Sequence, residues 1–110
     1  MSKARFIQNG ADIDYTAGSA AVSAGDVIVQ GTLVGIANAD IPANETGSIS
    51  VEGVYEFDKT ASEAITAGAT VYWNATSGIA TGTSAAGLVT LGKAVAAAGS
   101  GATVVKAKIN

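Results

Sequence analysis

The chain has 110 residues, a net charge of −3, and neither cysteine nor histidine. Disulfides, thiolate metal sites and the common Ser-His and Cys-His catalytic arrangements are thereby excluded. Six basic residues scattered along the chain do not supply the phosphate neutralisation that nucleic-acid binding needs, so no nucleic-acid partner is expected.

Eleven valines and nine isoleucines stand against three leucines, with 14 glycines and one proline. Branching at Cβ suits a pleated surface, and glycine supplies tight turns. The expected fold is all-β: a small single-domain antiparallel β-barrel or sandwich with many tight glycine turns. Residues 1–10 are expected to form an N-terminal arm or edge strand, and residues 11–110 the β domain. Met1 to Gln8 lacks the apolar core of a signal peptide. The apolar run Leu88 to Ala98 is short and broken by Lys93. No membrane partner is expected.

In chain order, Ala4 to Gln8 reads as a short strand or extended arm, and Asn9-Gly10 as a turn. Asp12 to Thr16 alternates, with Ile13 and Tyr15 inward. Asp26 to Gln30 and Leu33 to Ile36, broken at Gly31, read as a hairpin. Asn38 to Asn44, with Pro42, is a loop.

Gly47 to Asp58 is the clearest strand. Ile49, Val51, Gly53, Tyr55 and Phe57 share one face; Ser48, Ser50, Glu52, Val54, Glu56 and Asp58 share the other. Gly53 marks a bulge or a close backbone approach. Lys59 to Ile65 is the one weak helix candidate. Thr70 to Trp73 is a strand, Asn74 to Gly78 a turn, Ile79 to Thr81 a short strand and Gly82 to Gly87 a loop. Leu88 to Leu91 and Lys93 to Ala96 are strand-like about Gly92. Thr103 to Ile109 closes the chain, with Val105 and Ile109 on one face and Lys106 and Lys108 on the other. These lysines oppose Glu52, Glu56 and Asp58 in sign, and the two outer faces are expected to lie near each other. A quasi-repeat also recurs: Val22-Ser-Ala-Gly25, Ile65-Thr-Ala-Gly68 and Ala98-Gly99 each precede a strand. Unequal spacing favours shared turn chemistry over a solenoid.

Candidate chemistry is sparse. Gly87 to Lys93 matches G-x-x-x-x-G-K, but Ala94 replaces the magnesium-binding hydroxyl, and a strand rather than a helix is expected to follow. Glu52 and Glu56, four residues apart on one strand face, would have backbones ~13 Å apart, too far for a glycosidase pair. Asp12 and Asp14 lack the further oxygen ligands and glycine of a calcium loop. Catalytic residues, cofactor sites and metal sites are all expected to be absent. Tyr72 and Trp73 could make a sugar-binding platform, although one aromatic pair at a strand end is more often core or subunit interface.

With these residues in order, the chain resembles a family of small phage capsid cement, or head decoration, proteins, some labelled recombinase-like. The likeness rests on Arg5-Phe6-Ile7-Gln8-Asn9-Gly10, Tyr15-Thr16-Ala17-Gly18 and Val22 to Val29. It continues through Gly35-Ile36-Ala37, Val51 to Phe57, Ala67-Gly68, Val71-Tyr72-Trp73 and Gly92-Lys93-Ala94, and into the closing strand. Order and spacing carry it rather than any one motif. The resemblance implies a non-enzymatic virion structural protein, made in the bacterial host cytoplasm, that binds the outside of the capsid and stabilises the head. Its partner would be the major capsid protein, with a homo-oligomer, suspected to be a trimer, on the capsid. Lys3, Arg5 and Phe6 of the N-terminal arm are the expected contacts with the capsid or a neighbouring subunit; an ordinary edge strand with a frayed end is equally open. The alternatives are a head-fibre or tail component, or a β-barrel module binding sugar or peptide through Trp73 and Tyr72.

Overall fold

The computed structural model describes residues 3, 4 and 10–110. Among these there is no helix, so none is long and apolar enough to cross a membrane. The described residues form nine strands in two antiparallel sheets. The first sheet contains β1 (Asp12–Thr16), β2 (Val27–Gln30), β3 (Leu33–Ala37) and β4 (Thr46–Ser50), in the order β1-β4-β3-β2. The second contains β5 (Val54–Asp58), β6 (Thr70–Asn74), β7 (Ile79–Thr81), β8 (Val89–Ala94) and β9 (Val104–Ile109), in the order β5-β9-β8-β6-β7. The arrangement is sandwich-like, and the sheets do not close into a barrel.

The long alternating run from Gly47 to Asp58 is two strands, not one. β4 ends at Ser50 and β5 begins at Val54, in different sheets. The link turns at Gly53, whose φ of 128° is closed to residues bearing a Cβ. Alternation nevertheless survives the crossing: Ile49, Val51 and Phe57 are buried. The weak helix is also absent. Ala61 and Ser62 form a turn, with Ser62 at φ 64°, which ends any helical path there. β8 runs unbroken through Gly92, with a bulge in its pairing to β6 that skips Leu91.

The two sheets are built alike. β1, β2, β3 and β4 hold the places of β5, β6, β8 and β9 in the sheet order; β7 is the one strand without a counterpart. Register matches too. Ile13 opposite Ile49 corresponds to Tyr55 opposite Ala107, and Asp14 opposite Ser48 to Glu56 opposite Lys106. Ile28 opposite Gly35 corresponds to Val71 opposite Gly92. The quasi-repeat segments fill equivalent places: Val22 bridges Ile41 in one half, and Ile65 bridges Ala98 in the other. Each bridge residue leads into a four-residue turn closed by a backbone bond, as in Asp26 N to Ser23 O (3.0 Å) and Ala69 N to Thr66 O (3.1 Å). At the third turn position Gly25, Gly68 and Asn44 take positive φ. The repeat is therefore a doubled four-strand unit, disguised in sequence by β7 and its loops.

Two clusters hold the fold. Val34 and Ile36 of the first sheet pack with Phe57, Val71, Leu91 and Ile109 of the second. The opposite face of the first sheet, with Ile28 and Ile49, is covered by its own loops through Ala17, Val22 and Ile41. Each fully buried Val, Leu or Ile contributes on the order of 1.5–3 kcal/mol. At the seam, the Asn110 side chain donates to Val34 O at 2.6 Å and Val51 O at 2.8 Å.

Candidate functional site

The G-x-x-x-x-G-K segment is not a phosphate loop. Its first glycine sits in a turn, residues 89–94 are strand, and no helix follows. Gly92 is there for packing, since a Cβ on it would overlap the carbonyl oxygen of Lys108. The Lys93 ammonium donates to the Thr70 hydroxyl at 2.7 Å.

The carboxylates make no paired catalytic site. Glu52 lies in the link between strands and Glu56 on β5, so they do not share a strand. Asp12 accepts hydrogen bonds from Ser50 Oγ (2.7 Å) and Asn38 Nδ2 (3.4 Å) on the exposed side of β1. Among the described residues no three acidic side chains converge as a metal site would require. Glu63 instead ties two loops. Its carboxylate accepts from Thr81 Oγ1 (2.9 Å), Gly82 N (2.9 Å) and Thr83 Oγ1 (2.8 Å). Burial alone would raise its pKa. The Gly82 amide, the Thr83 and Thr81 hydroxyls and the nearby Lys59 outweigh that and hold it below its ordinary value. Lys59 is itself buried, its ammonium donating to the carbonyls of Thr60 (2.9 Å) and Ala102 (3.0 Å).

Tyr72 and Trp73 do not form a joint platform, because consecutive strand residues point to opposite faces. Trp73 turns toward Phe57, with ring centroids 5.8 Å apart and planes tilted at 58°. Both rings line a cleft of about 530 Å³ between the sheets, with Val27, Ile36 and Tyr55 and, at its rim, Glu56 and Asp58.

The exposed outer face of the second sheet is the other distinctive surface. Cross-strand register lays Val54, Lys108, Lys93 and Thr70 in one row. In the next row Glu56 faces Lys106, as their opposite signs suggested. Three of the chain's six basic residues thus gather on one face. The sequence could not show this, since the register of β8 on β9 is set by tertiary pairing. Lys93, Lys108, Thr70, Thr90, Thr32 and Asn110 line a second cleft of about 520 Å³.

Of the expected contact residues, Lys3 is exposed, while Arg5 and Phe6 lie outside the described residues. No curated protein and no solved structure matches the chain. A family model described as phage cement protein matches residues 7–109. This match spans both sheets, and the chain belongs to the phage cement protein family.

Proposed function

We propose that this protein binds the outer surface of a phage head through the major capsid protein and stabilises the assembled shell without catalysis. The observation that carries this reading is the family match over residues 7–109. The molecule suits the task. A β scaffold with a packed seam presents sheet faces and edges to a partner. A protein that binds only the assembled lattice stabilises it by mass action, and many weak sites on one lattice reinforce each other. Lys3, Arg5 and Phe6 contact the capsid or a neighbouring copy, and a homotrimer is the form taken on the capsid. The protein is made in the host cytoplasm and ends on the capsid surface.

The test is quantitative mass spectrometry on purified virions. A copy number near that of the major capsid protein is expected. A few copies per particle would point to a head-fibre or tail component, and complete absence would remove the virion reading. A second reading, a module binding sugar or peptide, draws on the cleft beside Trp73. Trp73 fluorescence that responds to oligosaccharide but not to capsid would favour it.

A further inference from the structure

The two halves present the same face with opposite fates. In the first sheet, Val27 and Ile36 are cross-strand partners and pack against the second sheet's core. Their counterparts in the second sheet are Thr70 and Lys93, also cross-strand partners. Among the described residues Lys93 is exposed, and Val54 and Val95 on the same face are 56% and 48% exposed. A face that serves as an interface in one half is thus left open by the described residues in the other.

What stands on that open face is unfavourable to the fold. Lys93 and Lys108 are direct cross-strand partners. Like charges placed opposite each other in a sheet destabilise it. Among the described residues neither lysine forms an ion pair with a carboxylate, and Lys93 donates to Thr70 Oγ1. Glu56 stands opposite Lys106, and Asp58 lies beyond it, opposite Val104. The Lys93–Lys108 pair therefore concentrates positive charge in a chain of net charge −3. Hydroxyls of Thr32, Thr70 and Thr90 ring the same cleft and can hydrogen-bond a carboxylate, while the Asn110 amide beside them is committed to Val34 O and Val51 O.

We propose that the Lys93–Lys108 cleft on the open face of the second sheet is a docking surface for an acidic segment of the capsid subunit. A carboxylate enters between the two ammonium groups, and Val54 beside them covers apolar chain. The proposal rests on the cement reading and deepens it by naming the surface and the chemistry of its partner.

The test compares wild type, K93Q/K108Q and K93R/K108R in co-sedimentation with heads of the parent phage stripped of this protein, across a salt series. Size-exclusion chromatography with light scattering and thermal melts run alongside. Rim charges act on association rate and salt dependence, so K93Q/K108Q is expected to bind roughly tenfold or more weakly, with a flatter salt dependence. The arginine variant should retain binding. Because neutralisation removes a like-charge contact, K93Q/K108Q should melt no lower than wild type. If wild type and K93Q/K108Q bind heads equally, the surface assignment is wrong and the cement reading stands. If wild type does not bind heads, the cement reading fails and takes the surface with it. If K93Q/K108Q loses self-association but keeps head binding, the occupant is a second copy, and the proposal is overturned.

Discussion

Gly92 lies so close beneath Lys108 that a Cβ at position 92 would fall on the Lys108 carbonyl oxygen. Backbone cannot step aside as a flexible side chain can. The contact sits where β8 meets β9, with Leu91 and Ile109 both fully buried beside it. Gly92→Ala should therefore cost more than ~3 kcal/mol, or prevent folding, as strained core substitutions do. Urea unfolding of Gly92→Ala against Gly99→Ala checks this, since a Cβ at Gly99 meets only open space.

Glu63 makes stability depend on pH. Its folded-state pKa is lowered from the ordinary 4.5, so its contribution is fully present above that value and is lost as pH falls through the folded pKa. Urea midpoints measured from pH 7 down to pH 3 should fall for wild type and fall less for Glu63→Ala. At neutral pH the alanine variant should lose roughly 1–3 kcal/mol, because Thr81, Gly82 and Thr83 lose their shared acceptor. Equal slopes for the two proteins would remove Glu63 as the source.

Asn110 spans the seam between the sheets. One amide serves Val34 O and Val51 O, while its backbone nitrogen donates to Leu91 O at 2.8 Å. Asn110→Ala leaves two carbonyls without a donor and should lower stability by about 1–2 kcal/mol. Differential scanning calorimetry should show a lower midpoint with the transition still cooperative.

The Glu56–Lys106 pair is exposed, so its effect is small. Lys106→Glu puts like charges opposite each other and should cost a few tenths to ~1 kcal/mol, shrinking in high salt. A more stable Lys106→Glu would mean that the two side chains do not interact.

Local patterning exposed most of the strands. Ile13 and Tyr15, Val71, and Val105 with Ile109 turn inward as period two requires. The break inside residues 47–58 was hidden because a three-residue link preserved the alternation on both sides, and only Gly53 hinted at it. The doubled architecture was half-visible. Its turns recur in the sequence, but β7 and its flanking loops lengthen the second unit, and the first unit's Ile49 stands where the second has Ala107. At the surface, opposite signs pointed to Glu56 beside Lys106, but the approach of Lys93 to Lys108 was not legible. Lys93 and Lys108 are 15 positions apart in the chain. Tyr72 and Trp73 are adjacent in the chain, yet face opposite ways.

The doubled unit also has a kinetic consequence. In the first unit, pairing β1 with β4 brings together Thr16 and Thr46. In the second, pairing β5 with β9 must bring together Asp58 and Val104, across a longer loop. The added closure entropy is only about 0.4 kcal/mol. The order of synthesis adds to it, since every strand of the first sheet leaves the ribosome before β5 does. The first sheet can thus assemble early and cover one of its own faces with its loops. Its other face, with Val34 and Ile36, then waits as a template on which the later half condenses.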